Sequence, residues 1–233
     1  QALSAQGADR IVNVTATYRL KGIEKSASKP ILVRRSVTAP AITSVVNGAC
    51  FRPGISPSTW TTVYGTNLAA TTRSWRNDEV VNGNLPTVLD GVSVTMNGRA
   101  AAISYISPGQ LNAQAPSGLA PGPVAVRVTT PQGTAEATAQ MSSFSPAMFT
   151  MGGKTVAALH ADYSYVGRPG QFGSVPASPA RPGETVLLYG AGFGPSDPEV
   201  PAGRLVTTPA PLASPVNVWI GDRSAEVQWK GVS

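Results

Sequence analysis

Residues 92–105 read VSVTMNGRAAAISY, and this stretch decides the class of fold. An extended strand places successive side chains on opposite faces, so alternation of apolar and polar residues predicts a strand with one buried face. Asn97 and Gly98 then supply residue types that accept the positive φ angles of a tight turn. The stretch therefore predicts a β-hairpin whose second strand occupies 100–105. The apolar positions of its first strand are Val92, Val94 and Met96.

The same alternation recurs along the chain, whereas the spacing of an amphipathic helix is almost absent. Short alternating strands separated by glycine and proline at intervals of roughly 8–12 residues are typical of a β-sandwich. Each such strand buries one face between two sheets and exposes the other. The sequence therefore predicts an all-β fold. The other alternating stretches are 12–20, 124–129, 134–141 and 216–220.

An internal repeat indicates two copies of one domain. PSTWTTVYGTNL at 57–68 matches PGETVLLYGAGF at 182–193, and residues 92–105 match VNVWIGDRSAEVQW at 216–229. The offsets are 125 and 124 residues. We therefore predict one immunoglobulin-like sandwich at 41–145 and a second at 146–233, preceded by a basic arm at 1–40.

The second copy is predicted to be incomplete at its C-terminus. The first copy continues after Tyr105 through three more candidate strands, at 110–115, 124–129 and 134–141, whereas the second reaches Ser233 soon after the matching Trp229. Two explanations are open at this stage: further chain follows Ser233, or a partner supplies the strands.

The amino-acid composition excludes several classes of protein. The 233 residues are 42% hydrophobic but only 13% charged, against a usual charged share of about 25%. A single cysteine excludes a disulfide framework within the chain, and no apolar run reaches the ~18 residues of a membrane helix. The first residue is Gln1, as in a processed or fragmentary chain.

The basic charge is concentrated in the arm. Residues 1–40 contain seven basic and two acidic side chains, and the net charge of the whole chain is +6. Apolar residues dilute these bases, which favours a solvated strand face over a nucleic-acid tail. The arm has two candidate strands, 11–20 and 31–37, and no sandwich of its own.

The first candidate strand of the arm could complete a sandwich in another molecule. It presents five alternating apolar side chains, so we expect it to pair with an open sheet edge and bury that face. Head-to-tail contacts of this kind generate filaments. The residues of this predicted strand-pairing face are Val12, Val14, Ala16, Tyr18 and Leu20.

Several ordered motifs carry a resemblance to a known family. They are ITSVVNGACF at 42–51, VYGTNL at 63–68, LPTVLDGVSV at 85–94, YISPGQLNAQAP at 105–116, ALHAD at 158–162 and RPGETVLLYGAGFGP at 181–195. They resemble the immunoglobulin-like IPT/TIG fold, and more closely an uncharacterised C-terminal repeat family of large secreted bacterial proteins. The resemblance covers about 41–233. It implies two immunoglobulin-like domains, an extracellular or cell-surface location and no catalytic residues, although Cys50 departs from the serine usual in that motif.

Several polar motifs are weak candidates for a catalytic, metal or phosphate-binding site. His160 and Asp162 could form half of a catalytic relay, but a hydrogen-bonded turn explains them better. Asp197 and Glu199 offer too few oxygens for Ca²⁺, and Gly190, Gly192 and Gly194 lack the spacing and helix of a phosphate loop. Cys50 reads as a small buried residue. We therefore assign no catalytic, cofactor or metal residue.

Aromatic residues give the alternative ligand site. Trp75, beside Arg73 and Arg76, is expected on an exposed loop, and with Tyr163 and Tyr165 it forms a possible ligand loop. By alternation Trp219 is expected to face outward, and Trp229 is expected in the core. Asn13 opens an Asn-Val-Thr sequence, a possible glycosylation site.

These observations favour a non-enzymatic structural module of an extracellular assembly, which pairs head-to-tail with other copies or with the rest of a larger secreted chain. The alternatives are an adhesion or polysaccharide-binding module and an accessory domain of a larger secreted protein. No cofactor, nucleic-acid partner or membrane span is expected.

Overall fold

The computed structural model describes residues 10–33, 38–151 and 155–233, and within these ranges it contains strands and one turn of 3₁₀-helix, at Asn77–Glu79. The predicted all-β class is therefore confirmed. The chain divides into two compact units, Gln1–Thr38 and Ala39–Ser233.

The first unit is a two-stranded antiparallel hairpin of β1 (Arg10–Leu20) and β2 (Ile23–Val33). Its first strand agrees with the prediction, but its second begins at Ile23 rather than at 31. The reason is the turn: Lys21 and Gly22 both have positive φ, 47° and 80°, as a two-residue hairpin turn of this twist requires. Residues 34–37 of the predicted second strand lie outside the described residues.

The second unit begins with a β-sandwich. Its strands are β3 (Ala41–Asn47), β4 (Trp60–Thr66), β5 (Arg73–Ser74), β6 (Val88–Leu89), β7 (Val92–Met96), β8 (Arg99–Ala100), β9 (Ala102–Ile106), β10 (Gln110–Gln114), β11 (Gly122–Thr130) and β12 (Gly133–Met141). One sheet has the order β3-β4-β10-β9-β5, and the other has the order β12-β11-β7-β6 with β8 paired to β7.

The sandwich buries the alternating residues between its sheets. Most of these side chains are fully buried because both layers contribute inward-facing positions to one core. Removing each large aliphatic side chain from water contributes about 1.5–3 kcal/mol. Core residues with no exposed surface include Val63, Val94, Ile103, Leu111, Val124, Val126 and Val128.

The predicted hairpin at 92–105 is only partly confirmed. Asn97 and Gly98 adopt φ angles of 47° and 78°, and the Asn97 side chain accepts a hydrogen bond from the Ala125 backbone at 2.8 Å. However, the return strand pairs with β7 only at Arg99–Ala100, after which the chain crosses to the other sheet as β9.

The remainder of the unit is built from shorter strands. They are β13 (Ala147–Met148), β14 (Thr150–Met151), β15 (Thr155–Val156), β16 (Ala158–His160), β17 (Tyr165–Val166), β18 (Ala177–Ser178), β19 (Val186–Leu188), β20 (Gly190–Ala191), β21 (Ala210–Pro211), β22 (Val218–Ile220), β23 (Arg223–Ala225) and β24 (Gly231–Val232). Four of them form a sheet in the order β18-β17-β16-β19. The predicted turn at Gly221 joins β22 to β23.

Candidate functional site

The β1–β2 hairpin has one apolar face. Residues directly opposite each other in an antiparallel pair share a face, and the register pairs Val12 with Ile31, Ala16 with Ala27 and Leu20 with Ile23. The five residues predicted as the strand-pairing face therefore do lie on one face. We call this surface the ribbon face; it comprises Val12, Val14, Ala16, Tyr18, Leu20, Ile23, Lys25, Ala27, Lys29 and Ile31.

Most of the ribbon face is exposed. The exposed fraction is 59% for Tyr18, 55% for Leu20 and 60% for Ile23. Lys25 lies opposite Tyr18 and Lys29 opposite Val14, so the ribbon face is both apolar and cationic. An exposed apolar patch of this kind is a mark of interaction surfaces.

The opposite face of the hairpin is polar over its central part, whereas one end carries the exposed apolar pair of Ile11 and Leu32. The Thr15 and Ser28 hydroxyls lie 2.9 Å apart, and Arg19 forms an ion pair with Glu24 at 2.8 Å. Asn13, the possible glycosylation site, is exposed on this face. Away from that end, the two faces therefore differ as the inner and outer faces of a sandwich sheet do.

The sandwich contains a hairpin of the same design. In β11–β12 the register pairs Val124 with Ala139, and Val124, Val126 and Val128 are fully buried against the core. The outward residues between them, such as Arg127, are exposed. The β1–β2 hairpin thus presents the pattern of an outer sandwich hairpin.

The residues of the predicted ligand loop belong to different elements of the second unit, Trp75 just after β5 and the two tyrosines at β16–β17. Trp75 is half-buried against the core, and its ring lies edge-to-face with Trp60 at a centroid distance of 5.7 Å. The expectation of an exposed loop was wrong, because the Trp75 side chain packs against the sandwich core and its backbone N–H donates to the Ser104 carbonyl of β9. Tyr163 is 68% exposed. Tyr165 belongs to the β18-β17-β16-β19 sheet and not to the sheet that contains β5, and its ring packs on Phe172.

The two C-terminal tryptophans are both exposed. Trp219 is 61% exposed, as predicted, but Trp229 is 56% exposed and not in the core. The alternation that placed Trp229 inside does not persist, because β23 ends at Ala225 and the chain is irregular up to β24.

His160 is buried in a hydrogen-bonded cluster that the sequence only partly indicated. Its Nδ1 contacts the carboxylate of Glu184, and its Nε2 lies 3.1 Å from both the backbone oxygen and the hydroxyl of Ser178. Asp162, the expected partner, instead accepts hydrogen bonds from Ser164. Glu184 raises the pKa of His160 above its ordinary value, with a smaller contribution from the Ser178 carbonyl.

This cluster links strands rather than preparing a nucleophile. A protonated imidazole donates through Nδ1 to Glu184 and through Nε2 to the Ser178 carbonyl, which leaves no lone pair to take a proton from the Ser178 hydroxyl. The predicted turn is confirmed by the Tyr163 N–H, which donates to the His160 carbonyl at 3.0 Å. Glu184 lies 24 residues from His160, and no local motif marks the pair.

A second polar cluster holds the loops beside β5. Arg73 donates to Asp90 at 2.7 Å and to Glu79 at 2.9 Å. Hydrogen bonds from Arg73 and then from Thr71 lower the pKa of Asp90 to about 2. Both carboxylates of this cluster, Glu79 and Asp90, are therefore paired with Arg73.

The other polar candidates occupy turns and loops. Gly192 and Gly194 have positive φ angles, 81° and 98°, just after β20, so the predicted strand-end turn is confirmed. Asp197 and Glu199 are exposed, and Cys50 is partly exposed rather than buried. The described residues hold no helix long and apolar enough to cross a membrane.

Comparison with known proteins identifies the sandwich. The IPT/TIG domain family matches residues 51–151, the part of the chain that runs from β4 to β14. The predicted immunoglobulin-like fold is therefore confirmed for this region. No curated protein matches the chain significantly. The finer resemblance to a secreted bacterial C-terminal repeat family stays a prediction, as do the domain boundaries.

Two solved structures are distantly similar. The γ-CGTase of Alkalophilic bacillus clarkii is 10% identical with a TM-score of 0.33, over 76% of this chain and 26% of that one. The SGBP-B protein of the Bacteroides ovatus mixed-linkage glucan utilization locus, solved in complex with a mixed-linkage heptasaccharide, is 11% identical with a TM-score of 0.30. That match covers 97% of this chain and 53% of the other.

Proposed function

We propose that this chain is a non-enzymatic structural module of an extracellular assembly, in which the ribbon face of the β1–β2 hairpin packs against the sandwich of another copy. The observation that carries the proposal is the exposed apolar face of a hairpin with the pattern of a sandwich hairpin. The opposite face, which is polar apart from Ile11 and Leu32, would remain in solvent.

The internal repeat suggests where the hairpin binds. In the sandwich, β7 is paired on one side by β11, with Val126 opposite Met96. The repeat equivalent of β7 is β22, which in the described residues pairs with β23 alone. Added to the free edge of β22, a hairpin would take the place that β11–β12 takes beside β7.

Strand addition of this kind combines two sources of affinity. Backbone hydrogen bonds along the edge set the register, and alternate side chains enter the core. Burial of five apolar side chains contributes several kcal/mol before the cost of association is subtracted. Because donor and acceptor surfaces differ, the contact is heterologous and propagates into rows of copies.

The test replaces the ribbon face by charge while keeping the hairpin. In Tyr18→Glu and Val14→Glu the new carboxylates lie opposite Lys25 and Lys29, so the cross-strand pairs support the hairpin as the apolar face is lost. Sedimentation velocity at rising concentration should show self-association of the original chain, weakened at least tenfold in both variants.

Thr17→Glu is the matched control, because it adds the same charge on the exposed opposite face. It should assemble as the original chain does. A chain that stays monomeric throughout, or equal assembly of the Tyr18 and Thr17 variants, would show that the ribbon face is not the contact.

A second candidate function is glycan binding, which the exposed indoles of Trp219 and Trp229 favour. Flat apolar rings that keep a polar N–H can stack on sugar rings and hydrogen-bond beside them. Trp219→Ala should then reduce retention on a polysaccharide column without changing assembly. Unchanged retention would exclude Trp219 from glycan binding.

A further inference from the structure

A polar cleft lies where the segment at 202–205 meets the sandwich. Its volume is about 330 Å³, at the lower end of the roughly 300–1,000 Å³ of small-molecule sites. The lining includes amide, hydroxyl and backbone groups and one cationic side chain. The polar groups that matter are those of Asn84, Thr87, Arg99, Gln114, Ser117 and Gly203.

Hydrogen bonds across the chain shape this cleft. The Gly203 N–H donates to the Gln114 side chain at 2.7 Å, and the Gly203 carbonyl accepts from the Leu85 N–H at 2.8 Å. The Ala202 N–H donates to the Ser117 hydroxyl oxygen at 3.3 Å, so the hydroxyl proton of Ser117 is left as a donor for a ligand. The walls are therefore formed before any ligand binds.

The charge of the cleft is uncompensated. Arg99 is its one charged lining residue, and no carboxylate lines it within the described residues. Among the described arginines, four form ion pairs with carboxylates, and Arg99 is not one of them. The four are Arg19, Arg73, Arg76 and Arg127. Arg204, next to Gly203, adds a second guanidinium that donates to Asn84 at 2.9 Å.

We propose that this cleft binds the carboxylate or sulfate group of an acidic polysaccharide. The planar guanidinium of Arg99 presents paired N–H donors that match the two oxygens of such a group. Hydroxyl and amide groups around it suit the hydroxyls of the attached sugar. The inference does not depend on strand pairing by the β1–β2 hairpin.

The repeat supplies a matched control. Arg223 follows the β22–β23 turn as Arg99 follows the β7–β8 turn, at the repeat offset of 124, but it lies outside the cleft. Arg99→Ala and Arg223→Ala therefore remove the same charge from equivalent hairpin positions. Both positions are exposed, so neither variant is expected to unfold the chain, and thermal melts would verify this.

Affinity electrophoresis in gels with polygalacturonate, dextran sulfate or neutral dextran tests the proposal. The original chain should be retarded by one or both acidic polymers and not by dextran. Arg99→Ala should weaken that binding at least tenfold, Arg99→Lys less, and Arg223→Ala less than twofold. Binding to polygalacturonate alone, or to dextran sulfate alone, would identify the preferred anion.

Equal losses in the two alanine variants would mean that the charge of the whole chain, and not the cleft, attracts the polymer. No retardation by either acidic polymer, or equal retardation by dextran, would also overturn the proposal. Loss of assembly in the hairpin variants with retained polymer binding would separate this inference from the proposed strand pairing.

Discussion

At the scale of single residues, His160 shows how one buried side chain couples protonation to the fold. It is the only histidine in the sequence, and it joins β16 to β18 and to the segment before β19. Glu184 raises the pKa of His160 above 6.5, and the backbone N–H of Arg181 and then His160 itself lower the pKa of Glu184 below 4.5.

These shifts predict a pH window of stability. The histidine contribution is complete below about pH 6.5 and is lost as pH rises through the higher pKa of the folded state. The Glu184 contribution is complete above about pH 4.5 and is lost as pH falls through its lower folded-state pKa. The thermal midpoint should therefore fall as pH rises above about 6.5, and in His160→Gln this slope should be absent.

Differential scanning fluorimetry from pH 5 to pH 9 measures the slope. Asp162→Asn serves as the control, because Asp162 bonds to Ser164 and contributes little to the His160 shift. If His160→Gln kept the slope of the original chain, the cluster would not be its source.

At the scale of elements, tight turns decide where the strands pair. The Asn97-Gly98 turn has both φ angles positive, and Asn97 also bonds to β11, the strand on the other side of β7. The turn therefore helps to set the order of three strands. The Lys21-Gly22 turn places β1 against β2 in the same way.

Asn97→Ala is expected to destabilise the second unit. Alanine tolerates the positive φ poorly and leaves the Ala125 N–H without its partner, so the loss should be about 1–3 kcal/mol. Asp222 follows Gly221 in the repeat turn and does not itself have a positive φ, so Asp222→Ala should cost under about 0.5 kcal/mol. Urea unfolding measures both values, and equal midpoints for the two variants would contradict this role for Asn97.

At the scale of the whole molecule, residues 39–233 form one compact unit although the repeat predicts two domains. Gln114 is a central link, because its side chain donates to the Ser58 carbonyl at 3.1 Å and accepts from Gly203 at 2.7 Å. It therefore ties β10 both to the sandwich loop and to the distant 202–205 segment.

This link predicts cooperative unfolding of the unit. Calorimetry should show one transition for residues 39–233, and Gln114→Ala should separate it into two, because unpaired groups at this contact cost about 1–3 kcal/mol each. Gln140→Ala, on the exposed face of β12, should leave one transition. Two transitions in the original chain would show that Gln114 does not couple the parts.

The sequence alone determined those features that depend on neighbouring residues. Alternation at 92–96 and 124–128 specified strands and their buried faces, because successive side chains in a strand point to opposite sides. Asn97-Gly98 specified its turn through its backbone preferences, and the repeat indicated related folds. The predicted ribbon residues lie on one face for the same local reason.

Contacts between distant residues were decided only by the tertiary structure. The crossing of β9 to the other sheet, the pairing of His160 with Glu184, the burial of Trp75 and the exposure of Trp229 all depend on which segments meet in space. Alternation shows that a face is buried but not which strand covers it, since many pairings satisfy the same pattern. The cleft beside Arg99 likewise exists because Gly203 meets Gln114, a contact that spans 89 residues and leaves no local trace in the sequence.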